Sequence, residues 1–351
     1  FARLGLRARH RRRDRLVHGG SVGEMKTRIL YKLKNALSAL GSKSRLGKDL
    51  YRNVKYTMAS CMMLLPDESY AQWFHKLYTG KRLNLKNPQT FDDMLWWLKL
   101  NNRDPMLTVC SDKYAVREYV EKCGLSNILI DQCGVYDSWK EIDFAAIPYP
   151  VILKCTTGSG LNHYFDPADK NADTKWIQKQ FRHGMRYNPY ILSREWNYKN
   201  VPQRIVAERA IRQADGKFPF DYRFFCFGGE PEFLMVDIER VTDGENINEF
   251  FYRNIYDMEF KLLPVEFSHP SCDGLIAPPK DFERMIEIAR ILSTPFAHCR
   301  VDLYNVDGKV YFGEITFYHA GGCNDIIPTE WDYKIAKLID INSPKIIRKQ
   351  A

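Results

Sequence analysis

The sequence predicts an α+β protein, helical ahead of the middle of the chain and built of antiparallel strand pairs beyond it. Two observations carry this. Between residues 67 and 123, apolar residues recur at helical spacing among capping residues and glycines. From residue 148 onward, alternating apolar and polar runs are separated by short glycine-containing turns, the pattern of hairpins. A chain of 351 residues can bury a sizeable core and hold two or three domains.

The net charge of +9 is unevenly distributed. Residues 1–60 hold 16 lysines and arginines against 3 acids, a net of +13, so the remaining residues sum to −4. A mildly acidic body argues against a nucleic-acid-binding enzyme. Residues 1–24 look unlike the rest and read as a basic tail foreign to the native chain, or else as a polybasic arm. Over residues 26–40, Ile29, Leu30, Leu33, Leu37 and Leu40 fall at helical spacing among lysines and Arg28. That arm would either pack on the body or make peripheral contact with an anionic membrane. Nine cysteines, scattered and without CxxC spacing, suit a reducing compartment. No apolar run approaches the ~20 residues of a membrane span, and no secretory leader is read at the start. The expected location is cytoplasmic, with the inner face of the membrane as an option for the arm.

Taken in order, residues 67–79 read as a helix with an acidic first turn, closed by Gly80. Residues 90–101 read as a second, with Thr90 as N-cap and Asp93 completing a capping box. Residues 111–123 read as a third, ending at Gly124, and residues 127–131 as a strand. Residues 148–155 form a strand, 156–160 a Gly-containing loop, and 162–165 the return strand. A helix follows over 171–185, then a connecting segment, 193–200, and a strand over 205–211. Residues 224–238 make a hairpin about Gly228-Gly229, 250–260 add strand, and 264–280 form a proline-rich loop. Helices are expected over 282–293 and 329–338, with a flexible loop at 319–324.

The chemistry concentrates in RVDLYNVDGKVYFGEITF, residues 300–317, which reads as two strands about Asp307-Gly308. Side chains alternate between faces. A two-residue turn would put Asp302 and Glu314 on opposite faces. A three-residue loop of Val306, Asp307 and Gly308 would bring Arg300, Asp302 and Glu314 together, and this loop is the expectation. Two carboxylates one cross-strand step apart suit a divalent cation such as Mg2+; the alternative is the solvated face of an ordinary hairpin.

This hairpin, together with GKRLNLKNPQTFDD, DKYAVREYV, ILKCTTGSG, REWNYKN, IVAERAI and DYRFFCFGGEP in that order, resembles the TupA-like ATP-grasp family from about Tyr70 to Ile341. The family is associated with teichuronopeptide and other surface-polysaccharide biosynthesis. The resemblance implies an ATP-grasp fold, two α+β subdomains sandwiching a nucleotide, with ATP and Mg2+ bound. It divides the chain into a tail (1–24), a basic amphipathic arm (25–66), a preceding region (67–147), the ATP-grasp domain (148–341) and a C-terminal tail (342–351). It implies Lys113 and Lys154 on nucleotide phosphates, under a loop of Thr157, Gly158, Ser159 and Gly160. It places Glu208 beside the adenine and Asp221 near the ribose. Asp302, Glu314 and Thr316 would hold the metal, and Arg223, Lys154 and Arg300 would act on the reacting groups. Thr316 departs from the Asn usual in ATP-grasp enzymes, and Thr157 stands where the family commonly has His.

The implied reaction is ligation of a carboxylate to an amine through an acyl phosphate, the carboxylate being a glycan's or a uronic acid's. A kinase on the same fold, phosphorylating a sugar, and a non-catalytic nucleotide-binding partner of a glycosyltransferase are the alternatives.

Overall fold

A computed structural model describes residues 45–158, 161–238, 251–272 and 276–349. The basic tail, the helix expected over 26–40, and Ser159 and Gly160 of the expected phosphate loop lie outside these residues.

The first part is helical, as its periodicity implies. α1 (Arg45–Cys61) and a 3-10 turn (Met62–Leu64) lead into α2 (Asp67–Thr79), which ends on the left-handed Gly80. In α3 (Phe91–Asn101) both halves of the Thr90–Asp93 capping box form. The helix expected over 111–123 starts later, as α5 (Val116–Lys122), and a helix that was not expected, α4 (Pro105–Ser111), ends where it was to begin. The break has a local cause. The Asp112 carboxylate accepts a hydrogen bond from the Tyr114 backbone N–H at 2.8 Å, so the side chain competes with helix continuation. Asp104 caps the new helix by accepting from the Met106 N–H. The strand expected over 127–131 is also displaced. Ile128 and Ile130 are buried in the core, but around a 3-10 turn (Ser126–Ile128), and the strand β1 is Gln132–Tyr136.

A four-stranded antiparallel sheet follows, in the order β1-β4-β2-β3. Its further strands are β2 (Val151–Cys155), β3 (Asn162–Phe165) and β4 (Ile205–Arg209). Between β3 and β4 lie α6 (Thr174–Gly184) and α7 (Pro189–Ser193). Ile177 and Phe181 of α6 join Val151, Leu153, Phe165, Ile205 and Ala207 in a core of their own. Because β1 belongs to this sheet, the boundary expected at 147/148 falls inside it.

The larger sheet has five antiparallel strands in the order β10-β9-β5-β6-β7. They are β5 (Asp221–Phe227), β6 (Glu230–Ile238), β7 (Tyr252–Tyr256), β9 (His298–Val306) and β10 (Lys309–Thr316). The loop expected over 264–280 includes a short strand, β8 (Glu266–Phe267), paired with β11 (Ile326–Ile327). One face of the five-stranded sheet is apolar. Tyr222, Phe224, Leu234, Val236, Val301 and Leu303 are buried there with Met285, Ile288 and Leu292 of α8 (Phe282–Ser293). The last helix, α9 (Thr329–Ala336), reaches back to cap α3, the Asp332 carboxylate accepting from the Phe91 N–H.

The hairpin corrects the expected three-residue loop. Lys309 pairs with Val306, so the turn has two residues, Asp307 at φ 53° and Gly308 at φ 94°. Both lie in the left-handed region, the combination a tight type I′ hairpin needs. The ladder then shifts register between Phe312 and Glu314, leaving Gly313 as the extra residue of a bulge. A side chain there would force the backbone to shift, since a Cβ on Gly313 would come within 2.8 Å of the Asp302 carbonyl oxygen. Before the bulge the even residues Val310 and Phe312 face the core; after it the odd residues Ile315 and Phe317 do. The bulge therefore does what the longer loop was expected to do: Glu314 pairs with Asp302 and Thr316 with Arg300.

Candidate active site

Register alone assembles one side of the site. On the face of the five-stranded sheet opposite α8, Glu314 stands beside Asp302, Asp302 beside Arg223 and Asp237 beside Arg253. Charges alternate across the strands. Arg300 Nε and Nη2 donate to the two oxygens of Asp302 at 2.7 and 2.6 Å, and Nη2 lies 3.4 Å from Glu314 and 3.2 Å from the Thr316 hydroxyl. The Thr316 hydroxyl also lies 3.0 Å from Glu314 Oε1. Arg223 donates to Asp221 Oδ2 at 2.7 Å and to Asp237 at 2.7 Å, with its Nε 3.9 Å from Asp302. Arg253 holds Asp237 from the far side at 2.6 Å.

These groups perturb one another. Burial pushes the Asp302 carboxyl up to about 7 against the pull of Arg300. Burial acts the same way on Glu314, but the Lys113 and Arg300 charges outweigh it and lower its pKa. Burial disfavours the charge on Arg223, and the Asp221 and Asp237 carboxylates restore it with surplus.

The four-stranded sheet supplies the other side. Lys154, at the end of β2, has its Nζ 2.7 Å from Glu208 Oε2 on the neighbouring β4. Burial opposes its charge, and the Glu208 carboxylate raises its pKa on balance. Arg117 of α5 approaches the other Glu208 oxygen at 3.8 Å. The break between α4 and α5 turns Lys113 onto the loop. Its N–H donates to the Thr156 carbonyl at 3.2 Å and its Nζ to the Gly158 carbonyl at 2.8 Å. The same Nζ lies 3.7 Å from Glu314 Oε2, so Lys113 spans from the loop to the metal-type carboxylates. Thr157 donates its hydroxyl to Gln203 at 2.9 Å. The structure thus joins Lys113, Gly158, Arg300, Asp302, Glu314 and Thr316 in one contact network that Arg223 and Asp221 extend, and it pairs Lys154 with Glu208. Thr157 is turned toward Gln203.

Sequence reasoning passed over several neighbours. Asp237 and Arg253 are buried ionic residues within strands, and their place on the polar face of β6 and β7 was the available signal. Segment 319–324, expected to be flexible, is instead pinned to α3. Trp96 Nε1–H donates to the Gly322 carbonyl at 2.8 Å, Lys99 Nζ to the Gly321 carbonyl at 2.6 Å, and Asn324 to Asp92 at 2.7 Å. His319 is buried beside the Phe225 and Phe267 rings and accepts from Arg300 Nη1 at 2.6 Å. Burial and then the Arg300 charge hold the ring well below its usual pKa, so a neutral imidazole meets the guanidinium. In the REWNYKN segment, Arg194 is structural: it is buried over the Tyr70 ring and donates to Asp67 at 3.0 Å. Asn197 donates to the Ser111 hydroxyl at 2.7 Å, and the half-buried Tyr198 lies where Glu195, Glu314 and Arg300 act on it.

The residues present fit a magnesium nucleotide. Asp302, Glu314 and Thr316 offer oxygen donors only, and Mg2+ is ordinarily held by one or two carboxylates plus phosphates rather than by a full protein cage. No cluster of three or more His, Cys, Asp or Glu side chains that could hold a metal occurs among the described residues. Asp221 Oδ1 is a buried oxygen without a hydrogen-bond partner. A carboxylate oxygen left this way is costly and would be satisfied by a hydroxyl such as a ribose offers. Lys113 and Lys154 are cations suited to phosphate oxygens.

Lys154 of the four-stranded sheet and Lys113 of the α4–α5 break supply the cations and the five-stranded sheet supplies Asp302 and Glu314, the arrangement the ATP-grasp resemblance implies. The chain belongs to the family described as TupA-like ATPgrasp, whose model matches residues 93–340, and its fold is the ATP-grasp fold. Solved structures it resembles include the D-alanine–D-alanine ligase of Bacillus anthracis complexed with ATP, at 13% identity and a TM-score of 0.37, covering 62% of this chain and 58% of that one. The D-alanine–D-alanine ligase of Helicobacter pylori resembles it at 14% identity and a TM-score of 0.39, covering 74% and 68%. The D-cycloserine synthetase DcsG does so at 11% identity and a TM-score of 0.38, covering 68% and 71%. The chain spans less than two thirds of the length of the first of these. No curated protein matches it.

Proposed function

We propose that the protein is an ATP- and Mg2+-dependent carboxylate–amine ligase of cell-surface glycan biosynthesis. The observation that carries the reading is the pairing of Glu314 with Asp302 across the bulged hairpin, with Lys113 reaching Glu314 from the Gly158 loop. Asp302 and Glu314 would hold Mg2+, which when bound neutralises charge on the phosphates. Lys113 and Lys154 would hold phosphate oxygens, and Lys154 would share its charge between them and Glu208. Asp221 Oδ1 would accept from the ribose. Arg300, steadied by His319, would stabilise the anionic oxygens of an acyl phosphate and of the tetrahedral intermediate formed by the attacking amine. Arg223 would stand behind it, its charge maintained by Asp221 and Asp237. The protein's part is positioning and charge neutralisation, which carry most of the catalysis in phosphoryl transfer. The carboxylate partner is assigned to a uronic acid or glycan on the family's association with surface polysaccharides.

The test is a screen of uronic acids for ADP release with hydroxylamine as the amine. The ligase reading expects a hydroxamate formed in step with ADP. A stable phosphorylated sugar would replace it with a kinase, and no ADP from any acceptor would favour a non-catalytic role.

A further inference from the structure

The REWNYKN segment and the end of β10 hold oxygen atoms that the proposed reaction has not used. Glu195 is half-buried and accepts from the Ser193 hydroxyl through Oε1 at 2.5 Å. Its second oxygen, Oε2, has no hydrogen-bond partner among the described residues. The Tyr198 hydroxyl, on a half-buried side chain, has none either. The Tyr318 hydroxyl is closed to water and has no partner. The Glu195 carboxylate acts on both phenols, which groups the three oxygens in one place. A buried hydroxyl left this way is costly unless a ligand satisfies it.

That place adjoins the reacting groups. Glu314, Arg300 and Asp302 act on Tyr198 as well. A Cβ on Gly321 would lie 3.7 Å from Glu195 Oε1, and His319, earlier in the same turn, touches Arg300 at 2.6 Å. The cation acting on Glu195 is Lys99, but the Lys99 ammonium is already engaged by the Ser193 and Gly321 carbonyls, at 3.0 and 2.6 Å, and by the Trp96 ring. Burial raises the Glu195 pKa, and Lys99 and Ser193 only partly offset it. Two phenol oxygens and a carboxylate oxygen offer acceptors, and the only charge among them is negative. A primary ammonium, with three N–H donors and one positive charge, is the group that matches.

We propose that Glu195, Tyr198 and Tyr318 receive the amine substrate as a primary ammonium, with Glu195 as the base that readies it for attack. The base role rests on the ligase reading, whereas the ammonium pocket stands without it. An ammonium nitrogen has no lone pair to attack with. Glu195 takes one proton, and the freed pair forms the C–N bond to the carbonyl carbon of the acyl phosphate. The C–O bond to phosphate then breaks. Phosphate leaves with that electron pair and takes up the second proton the nitrogen loses, and the amide remains. Glu195 returns its proton to solvent. A carboxyl made more basic by burial suits this task.

The experiment has two arms. In the first, thermal unfolding of the full chain is followed with ethylammonium or tetramethylammonium chloride at equal ionic strength. Ethylammonium should raise the melting temperature saturably, and tetramethylammonium, which has no N–H, should not. Glu195→Gln keeps an acceptor for Ser193 and should bind ethylammonium at least about tenfold more weakly, the scale of one lost charged hydrogen bond. Tyr318→Phe removes an oxygen without a partner in the fold, so it should melt no lower than the parent yet respond less. Equal responses to the two salts, or in parent and Glu195→Gln, would overturn the pocket. So would a Tyr318→Phe chain that melts lower and binds ethylammonium like the parent. The second arm takes the uronic acid that yields hydroxamate and compares hydroxylamine, largely unprotonated at neutral pH, with ethylammonium. In Glu195→Gln, kcat/KM for ethylammonium should fall at least about tenfold further than for hydroxylamine. Equal losses, or a parent that forms hydroxamate but no ethylamide, would overturn the base role. No hydroxamate even from the parent would sink the ligase reading and the base role with it, and the first arm would still decide the pocket.

Discussion

The two sheets treat charge differently. On the five-stranded sheet, Asp237 is gripped by two arginines and Asp302 by a third, all within the strand ladder and nearly closed to water. On the four-stranded sheet, Lys154 and Glu208 form one partly buried pair, and Lys113 reaches over from a helix break. The first arrangement fixes positions and leaves little freedom. The second leaves cations that can change partners. On the proposed function, which has the site receive a polyphosphate and let it go, the rigid carboxylates would set the geometry and the adjustable lysines would follow the charge.

The largest expected effect falls on the rigid side. Asp237→Asn leaves Arg223 and Arg253 without their shared carboxylate, and breaking a buried pair this way costs about 3–5 kcal/mol. Denaturant unfolding of the variant should show it, and a loss below about 1 kcal/mol would mean the network is far less dry than its burial implies.

A pH dependence should come from the same sheet. His298 is buried, its Nδ1–H donating to the Cys226 carbonyl at 2.9 Å, and burial pushes its pKa down to about 4. Its unfolded value is near 6.5. The unfolded chain therefore takes up the proton first as pH falls. The contribution is fully present above about pH 6.5, declines from there to about pH 4 and levels off below, amounting to about 3 kcal/mol. His298→Phe keeps the ring among Phe91 and Phe227 and should flatten the acid limb of a stability–pH curve relative to the parent.

The bulge should matter next. Gly313→Ala places a methyl against the Asp302 carbonyl and should cost about 1–3 kcal/mol, together with weakened Mg2+ dependence of nucleotide binding. Equal binding by parent and variant would show that the register at Glu314 is unimportant. The smallest effect belongs to the adjustable side. Glu208→Gln should change stability by no more than about 1 kcal/mol while altering nucleotide affinity, since it releases Lys154. A loss as large as that of Asp237→Asn would erase the distinction between the sheets.

Much of this arrangement was legible in the sequence. Alternation and turn glycines located the strands of the 148–165, 224–238 and 300–317 hairpins and of 205–211 but not β1, β8 or β11, and the Thr90–Asp93 capping box and Gly80 located two helices. The hairpin was legible in outcome and misread in mechanism. The core-facing residues change parity between Phe312 and Ile315, and a lone glycine between them is the signal of a bulge. The late start of the helix expected from Ser111 was hidden because Asp112 and Lys113 suit a helix locally, and only the hydrogen bond from the Tyr114 N–H to the Asp112 carboxylate turns the chain there. The fixing of residues 319–324 was not legible at all. A glycine pair reads as flexible until α3 supplies Trp96 and Lys99 from more than two hundred residues away, and local pattern carries no such information.

The most direct measurement is calorimetry of ATP binding, with and without Mg2+, on the intact chain and on Asp302→Asn/Glu314→Gln, with folding checked by circular dichroism. Binding should need Mg2+ and fall by about a hundredfold or more in the folded variant, the scale of two lost charged ligands. Binding that is equally tight without Mg2+, or equally tight in the variant, would contradict the proposed site.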